Sequence, residues 1–460
     1  MKRRIKINAL RQSKEWFDSE CSSLRKQARS ELRQLHRINV SNKNEKQKHR
    51  GLFVKSRREY NALLRLKKRS FKRKKTKRLT ESLKNPRLFW KELRSCYGFA
   101  RKKDTSSSIP NQEWFEHFMK VFKVDETSER RTNRVVLNHT SPSIDSLDCG
   151  ITEEEVANAI RSLKSGKACG VDGVYAEMLK AAGPPLVCFL VKLFNVIFKT
   201  GKYLDQWSRA IIVPIHKKGD TGVTDNYRGV SLLSLLSKCY TSILNKRLYG
   251  WLEENGKIED TQAGFRRGHS TIDHVFTLYA ITQKYLSKPG GKFYVAFIDL
   301  RKAFDSVTRD TLMLALCRTG VSPTFLQAVV AIYYKVLSCV RVNNDLTDMF
   351  ECPRGLRQGC VLSPSLFSVI INELALTMKD HGKHGVQLLP GLVELFILLF
   401  ADDLALLSCS PCGLQTQLDC LVKVCSDLGL SINTDKSTIM VFRKGGFLSK
   451  SEKWFTTESR

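Results

Sequence analysis

Two adjacent aspartates, Asp402 and Asp403, interrupt an apolar run that reads ELFILLFADDLALLSC. Burying one unpaired carboxylate is costly, and burying two neighbouring ones costs more. A divalent cation is therefore the first candidate for a compensating charge. The pair lies where a hairpin turn would fall between two apolar strands, and such a turn would project both carboxylates from one edge of a sheet.

A third carboxylate follows a second apolar strand. In the segment FYVAFIDLRKAFDSV, Asp299 comes directly after the predicted strand. Three carboxylates from two neighbouring strands can hold two divalent ions about 3.5–4 Å apart, which activate a hydroxyl and neutralise a leaving phosphate. Oxygen ligands favour Mg²⁺, with Mn²⁺ as a substitute. The alternative, that each acid is an ordinary turn residue, is disfavoured by the two matching strand ends.

The elements that must position these acids alternate along the chain from Ile151 to about residue 443. Thr152, followed by three glutamates, predicts the start of a helix. The segments AIIVPI and KFYVAFIDL predict buried strands, and LSPSLFSVIINELALTMKD predicts a long helix. We therefore expect a mixed α/β (α+β) catalytic domain. Residues 101–150 are richer in Ser, Thr, Asp and Pro, which favours a linker with a short helix inside it.

The charge distribution predicts a polyanionic partner. The net charge is +32, and residues 1–100 contain 32 Lys and Arg against eight Asp and Glu, so most of the excess lies there. The run RLKKRSFKRKKTKR is either a solvated helix face or a nucleic-acid contact. We favour the contact because the charge exceeds what solubility needs. The residues expected to make it are Lys67, Lys68, Arg69, Lys72, Arg73, Lys74 and Lys75.

Cysteines and apolar runs exclude other classes of protein. The 14 cysteines have no regular spacing and no secretory segment is recognisable, so we expect reduced thiols in an intracellular protein. The spacing of Cys409 and Cys412 is zinc-like, but no second pair follows at ligand spacing. The longest apolar run is interrupted by Asp402 and Asp403, so no membrane association is expected.

Six segments in order resemble the motifs of reverse transcriptases. FADDLALL resembles the double-aspartate signature, FIDLRKAFDSV the first carboxylate motif, and GLRQGCVLSPSLFSVIINEL the loop and helix between them. HKKGDTGVTDNYRGVSLLSLLSKCYTSILNKRL and QAGFRRGHSTIDHVFTL resemble the fingers motifs, and LGLSINTDKSTIMVF resembles the motif after the double aspartate. KSGKACGVDGVYAEMLK and QAGFRRGHST are typical of the non-LTR (LINE-type) retrotransposon group.

The resemblance implies the fingers and palm of a right-hand polymerase, with a basic helical N-terminal extension. Such a protein would be an RNA-directed DNA polymerase that extends a DNA primer 3′-OH with dNTPs on an RNA template. The catalytic carboxylates would be Asp299, Asp402 and Asp403. They would hold two Mg²⁺ ions together with the backbone carbonyl of Leu300.

The resemblance also assigns the incoming nucleotide to a set of side chains. Phe304 matches the aromatic residue that blocks a ribose 2′-OH, although it could be plain core. Asp305, beside it, is expected to be structural. The other residues that match nucleotide-binding positions are Lys217, Lys218, Arg228, Gln358, Gly359 and Lys436. Arg266 and Arg267 are expected to contact template phosphates, with a solvated face as the alternative.

The expected domains are residues 1–100 as the basic extension, 101–150 as a linker, 151–446 as fingers and palm, and 447–460 as a tail where a thumb would begin. We therefore expect a chain that lacks an endonuclease and a thumb. Two alternatives stay open: a catalytically inactive RNA-binding remnant, and an intron-type maturase. The resemblance and the basic run favour a nuclear location with a cytoplasmic ribonucleoprotein stage.

Overall fold

The computed structural model describes residues 16–37, 43–82, 88, 109–123, 141–343, 345–381, 384–387, 394–445, 452 and 454. The chain divides into two compact units, Met1–Lys103 and Asp104–Arg460. The expectations for residues 1–15, 83–87, 89–108 and 124–140 fall outside the described residues.

The first unit contains two helices, α1 (Ser19–Arg37) and α2 (Lys43–Ser82). They form an antiparallel hairpin, since Lys67 in α2 pairs with Asp18 and Glu20 at the start of α1. Cys21 of α1 and Ser56 of α2 are buried. The basic run predicted from the sequence therefore lies on the second half of α2.

The second unit is a mixed α/β structure built on two sheets. The helices and strands of this unit, in chain order, are α3 (Asn111–Phe122), α4 (Asp145–Asp148), α5 (Glu153–Ser162), α6 (Ala176–Ala181), α7 (Gly183–Thr200), α8 (Asp205–Ser208), β1 (Arg209–His216), β2 (Tyr227–Leu233), α9 (Leu235–Glu254), α10 (Thr271–Ser287), β3 (Lys292–Asp299), α11 (Ala303–Ser306), α12 (Arg309–Thr319), α13 (Pro323–Tyr333), β4 (Leu337–Val342), β5 (Asp345–Leu346), β6 (Phe350–Glu351), α14 (Ser363–His381), β7 (Ile397–Phe400), β8 (Asp403–Ser408), α15 (Pro411–Asp427) and β9 (Thr438–Arg443).

The first sheet has the order β2-β1-β4-β5, with β6 also paired to β4. Strand β1 is antiparallel to β2 and parallel to β4. The second sheet has the order β7-β8-β3-β9, and its pairs are all antiparallel. It is this second sheet that brings the two carboxylate motifs together.

Strand β3 lies at the centre of the second sheet, as its continuous apolar sequence predicts. Its residues from Phe293 to Ala296 are fully buried, and helices α10 and α15 contact it. A strand that is covered on both faces reads as an unbroken apolar run rather than an alternating one. The last residue of the strand, Asp299, is partly exposed.

The prediction for residues 101–150 is confirmed in its short helix, but for the described part of that segment it is wrong to call the surroundings a linker. Helix α3 packs into the core of the second unit, and Trp114 and Phe118 are buried one helical turn apart. The Trp114 ring meets the ring of Tyr227 on β2 edge-on at 4.9 Å. Leu147 of α4 is also fully buried. The second unit therefore starts well before Ile151.

The predicted helix start at Thr152 is confirmed and is fixed to α9. Thr152 forms a capping box with Glu155, which also receives two hydrogen bonds from the guanidinium of Arg247 on α9. The same guanidinium donates to the carbonyl oxygens of Leu147, Cys149 and Gly150. This buried arginine therefore fixes the segment from α4 to the start of α5 onto α9.

Two described residues of the predicted tail also belong to the second unit. The Glu452 carboxylate is buried and accepts hydrogen bonds from Lys292 and Tyr294 of β3. The Trp454 indole nitrogen donates to the carbonyl oxygen of Pro411. The boundary expected at residue 446 is therefore too early.

One helix in the described part of the chain, α7, is long and apolar enough by composition to cross a membrane. Leu190, Phe194, Ile197 and Phe198 of this helix are buried in the core of the second unit. Phe189 and Val196 are exposed. Core packing is thus one sufficient reason for its apolar sequence.

Candidate active site

The ends of β3 and β8 bring the predicted carboxylates together. Asp299, the last residue of β3, is the register partner of Asp403, the first residue of β8. Directly opposed residues in an antiparallel pair have Cβ atoms about 4.5–5.5 Å apart on the same face. Asp402 lies in the two-residue turn between β7 and β8, as the hairpin pattern predicts.

The turn that carries Asp402 and Asp403 is supported by the segment before α10. Leu399 on β7 exchanges backbone hydrogen bonds with Thr261 and Ala263. Gly264 then lies against the turn so closely that a Cβ there would be 2.2 Å from the backbone nitrogen of Ala401. The sequence analysis missed this support, although the glycine of QAGF was within a quoted motif.

Asp299 is held by the loop that precedes β9. Its Oδ2 atom accepts hydrogen bonds from the Asn433 amide at 2.8 Å and from Lys436 Nζ at 3.1 Å. Its backbone oxygen and nitrogen bond to the Asn433 nitrogen and the Ser437 hydroxyl, respectively. Lys436 was predicted to lie at the site, whereas Asn433 was not, although both belong to the segment INTDK.

The electrostatics of the three acids favour a bound cation. Burial raises the pKa of Asp403, and the negative charges of Asp402 and Asp299 raise it further, against the opposing effect of Lys436. A cation between these groups would relieve that repulsion. Within the described residues, however, no three His, Cys, Asp or Glu side chains are already gathered at metal-binding distance.

The same observation bears on the zinc-like spacing of Cys409 and Cys412. Both cysteines are exposed, and they belong to no metal-binding group in the described part of the chain. The structure gives this pair no further ligand.

The acids open onto a cleft of about 780 Å³. Several of the predicted nucleotide-binding residues line it together with the three acids and Leu300; they are Lys217, Arg228, Phe304, Gln358, Gly359 and Lys436. Lys218 is exposed beside Lys217 but does not line the cleft. The sequence motifs thus converge on one cavity from both sheets and the loops between them.

Phe304 combines the two interpretations that the sequence left open. Its ring stacks on Phe367 of α14 with centroids 4.4 Å apart and meets Phe265 edge-on at 6.0 Å. It is partly buried against the core, yet it also lines the cleft. Packing on Phe367 therefore holds the ring in place beside the carboxylates.

The loop that contains Gln358 and Gly359 is joined to β2. The Ser231 backbone nitrogen donates to the Gln358 oxygen at 3.0 Å. Gly359 has φ +110°, and a Cβ there would lie 2.6 Å from the carbonyl oxygen of Ser231. Only glycine combines this backbone conformation with so close an approach. The position of Gly359 is thus set by contact with β2.

The prediction that Arg266 contacts the template does not fit the structure. Its guanidinium donates two hydrogen bonds to Glu253, at 2.9 and 2.8 Å, and two more to the carbonyl oxygens of Glu259 and Gln262. The side chain is only 10% exposed. Arg267, by contrast, is exposed and lies over the ring of Tyr249.

The basic residues of α2 that were predicted to contact nucleic acid also differ, because some interact within the first unit and others are exposed. Lys67 is taken up by Asp18 and Glu20, at 2.6 and 2.8 Å. Lys68 and Lys75 lie over the rings of Trp16 and Phe71, at 5.1 and 5.9 Å. The basic residues of this set that are exposed are Lys68, Arg69, Lys72, Arg73 and Lys74.

Comparison with protein families gives a match over the second unit. A family model described as reverse transcriptase (RNA-dependent DNA polymerase) matches residues 215–455, which is just over half of the chain. The matched range contains the three acids, the predicted nucleotide-binding residues that line the cleft, and both arginines of the QAGFRR segment. It begins within β1 and ends just after Trp454.

Three similar proteins come from mobile elements of insects. The probable RNA-directed DNA polymerase from transposon BS of Drosophila melanogaster is 32% identical over 304 residues, covering 62% of this chain and 32% of that protein. The RNA-directed DNA polymerase from mobile element jockey of the same species is 28% identical, covering 64% and 32%. The retrovirus-related Pol polyprotein from type-1 retrotransposable element R2 of Popillia japonica is 28% identical, covering 64% and 40%. The chain thus spans between about a third and two fifths of these relatives.

Proposed function

The chain belongs to the reverse transcriptase family, and on that premise we propose that it is the RNA-directed DNA polymerase of a non-LTR retrotransposon. It extends the 3′-OH of a DNA primer with dNTPs on an RNA template. The observation that carries the proposal is the register pair of Asp299 and Asp403, with Asp402 in the adjoining turn, at the wall of one cleft. The names of the relatives support the substrate class.

The residues present suit a hard divalent cation. Asp299, Asp402 and Asp403 offer carboxylate oxygens, and Leu300 lines the same cleft with a backbone carbonyl to offer. Burial and then the charges of Asp402 and Asp299 raise the pKa of Asp403, which supports a site that a cation would stabilise. Two Mg²⁺ ions, or Mn²⁺ in their place, would lower the pKa of the attacking hydroxyl and neutralise the leaving phosphate.

The cations around the cleft would bind the triphosphate. Lys217, which directly follows β1, and Arg228 of β2 line it, and Lys218 is close enough in sequence to add charge at its rim. Arginine suits phosphate through its fork of donors, and lysine acts as a point charge. Lys436, once released from Asp299, would neutralise the departing pyrophosphate. Most of the catalysis would then come from positioning and charge stabilisation.

Phe304 would select deoxyribonucleotides by steric exclusion. Its ring lines the cleft near Asp299 and cannot retreat easily, because it stacks on Phe367. A 2′-OH directed at a fixed ring is rejected by clash. Gln358 and Gly359 would form the facing wall.

The exposed basic residues of α2 would bind RNA through its phosphates, and Arg267 of the second unit would separately contact template phosphates. Such binding weakens steeply as salt concentration rises. The internal pairing of Lys67 and Arg266 removes these two from the proposed contact. We propose that the same basic run supports nuclear import, after a cytoplasmic ribonucleoprotein stage.

The test compares the native chain with Asp402→Asn in primer extension on RNA with dNTPs and Mg²⁺. We expect the substitution to abolish extension and to leave RNA affinity nearly unchanged, because the carboxylate acts in chemistry and not in phosphate binding. Asp427→Asn, an exposed acid at the end of α15, is the matched control and should extend normally. Loss of RNA binding in the Asp402 variant would count against the site assignment.

A second candidate is an RNA-binding protein without turnover. It is favoured by the exposed basic face of α2 and by the contact between Lys436 and Asp299, which opposes metal binding at that carboxylate. Salt-sensitive RNA binding by the native chain, with no extension at any Mg²⁺ or Mn²⁺ concentration, would support this candidate over the polymerase.

A further inference from the structure

A chain of three polar side chains crosses the cleft from α11 to β2. Asp305 of α11 accepts a hydrogen bond from the Gln358 amide nitrogen at 2.5 Å. The Gln358 amide oxygen accepts one from Arg228 Nε at 3.3 Å. Gln358 is 53 positions from Asp305 and 130 positions from Arg228 in sequence, and the three residues come from separate parts of the fold. The resemblance to reverse transcriptases implies that Gln358 and Arg228 bind the nucleotide, whereas Asp305 was expected to be structural.

We propose that Asp305 is a positioning residue for the incoming nucleotide. It fixes the orientation of the Gln358 amide and, through that amide, the place of the Arg228 guanidinium. This inference rests on the proposed polymerase function and adds to it a residue that touches neither the metal site nor the nucleotide.

The hydrogen-bonding capacity of the two outer groups determines the orientation of the amide. An ionised carboxylate only accepts hydrogen bonds, and an arginine Nε–H only donates them. The Gln358 amide between them must therefore present its nitrogen to Asp305 and its oxygen to Arg228. If the carboxylate is removed, the amide loses the group that dictates this orientation. Arg228 then loses a defined acceptor on the facing wall.

The backbone around Gln358 is already fixed on both sides, so the side chain is the part that remains to be oriented. Toward α11, the Leu356 nitrogen donates to the Phe304 oxygen, and the Gly355 nitrogen donates to the Val307 oxygen. Toward β2, the Ser231 nitrogen donates to the Gln358 oxygen, close to the tight contact at Gly359. The hydrogen bonds between the side chains of Asp305, Gln358 and Arg228 thus join the same elements, α11 and β2, that these backbone hydrogen bonds join.

The surroundings of Asp305 agree with a hydrogen-bond acceptor more than with an ion-pair partner. Lys302 pairs with Asp225 instead, at 2.9 Å. Within the part of the chain that the structure describes, no Lys or Arg forms an ion pair with Asp305, and Lys217, Lys302 and Arg228 act on it at longer range. Gln358 is its hydrogen-bond partner. A hydrogen bond to a charged acceptor is stronger than one between neutral groups.

The experiment uses two substitutions of nearly the same size. Asp305→Leu removes the acceptor, whereas Asp305→Asn keeps one oxygen that can face the Gln358 amide. We expect the Leu variant to raise the KM for dNTPs about tenfold or more, the cost of a lost charge-assisted hydrogen bond, with a smaller change in kcat. The Asn variant should restore most of the loss.

A double-mutant cycle separates positioning from simple destabilisation. If Asp305 acts through Gln358, Asp305→Leu should add no further increase in KM when Gln358→Ala is already present. An equal increase of KM in both backgrounds would overturn the proposal. So would a Leu variant with unchanged KM, or one whose only change is a lower melting temperature.

A second measurement does not depend on polymerase activity. Hydrogen exchange of the Gln358 side-chain amide, followed by NMR on the full chain without nucleotide, reports on the hydrogen bond from that amide to Asp305. We expect faster exchange in Asp305→Leu and native rates in Asp305→Asn. If the native chain fails to extend primers, the proposed function fails, while this exchange pattern still supports the placement of Gln358 by Asp305. Unchanged exchange in the Leu variant would refute that placement directly.

Discussion

Replacing Gly264 by alanine should disable the active site without removing any functional group. The added Cβ would lie 2.2 Å from the Ala401 nitrogen and 2.9 Å from the Phe400 carbonyl carbon, both of which are backbone atoms. Ordinary contact begins at 3.4 Å, so the turn that carries Asp402 and Asp403 would have to move by more than 1 Å. No left-handed backbone conformation contributes here, because Gly264 is not among the positive-φ residues.

The magnitude follows from this displacement. Overpacking of this kind costs roughly 1–3 kcal/mol of stability. A shift of about 1 Å in a catalytic group can reduce the rate on the order of 10²-fold. We therefore expect Gly264→Ala to fold, with a modestly lower melting temperature, and to lose most of its single-turnover rate of nucleotide addition.

The assay is single-turnover addition of one dNTP, measured beside thermal unfolding. Gly250→Ala is the matched control, because Gly250 lies within α9 and its nearest neighbour is the end of the flexible Glu254 side chain at 3.9 Å. That variant should add nucleotide normally and gain roughly 0.5–1 kcal/mol of stability. A Gly264→Ala protein with the native rate would refute the argument that this contact sets the turn.

Three further predictions concern selectivity, RNA binding and pH. Phe304→Ala should accept rNTPs more readily and lose roughly 3–5 kcal/mol of stability with the Phe367 stack; unchanged rejection of rNTPs would remove the proposed role. Arg267→Gln should weaken RNA binding and reduce the slope of log affinity against log salt concentration by about 1. Arg266→Gln should instead mainly lower the free energy of unfolding, by about 2–3 kcal/mol. Equal losses of RNA affinity in the two variants would contradict the different roles of these arginines. Burial raises the pKa of Asp305 above its ordinary value, against hydrogen bonding from Gln358 and the charges of Lys302, Arg228 and Lys217. At a pH between the unfolded and the folded pKa of Asp305, this carboxyl is therefore protonated in the folded chain and ionised in the unfolded chain. The free energy of unfolding of the native protein, relative to that of Asp305→Asn, should fall as pH rises through that interval. A relative stability that rises with pH would show that the sign is wrong.

The sequence predicted the parts of the site that depend on local pattern. An apolar run that ends in an acid marks a strand end, which placed Asp299 correctly, and two acids between apolar runs marked the β7–β8 turn. The sequence predicted that Asp299 and Asp403 belong to two neighbouring strands, but it did not predict that they are register partners. Their register joins elements about a hundred residues apart, and no local pattern encodes it.

The misses have identifiable physical causes. Helix α3 is flanked by Ser-, Thr- and Asp-rich segments, so the sequence predicted a short helix within a linker and missed that Trp114 and Phe118 pack into the core. Adjacent arginines look alike in sequence, and only the fold shows that Glu253, 13 residues earlier, turns Arg266 inward. Asn433 was overlooked because an amide carries no charge to signal a partner for Asp299.

The most direct test of the central claim is templated addition of a single nucleotide. A DNA primer is annealed to RNA templates that differ in one base, and each dNTP is supplied alone with Mg²⁺ to the native chain and to Asp402→Asn. We predict that only the complementary dNTP is added, and only by the native chain. Addition that ignores the template base, or that survives in Asp402→Asn, would contradict an RNA-directed polymerase acting through these carboxylates.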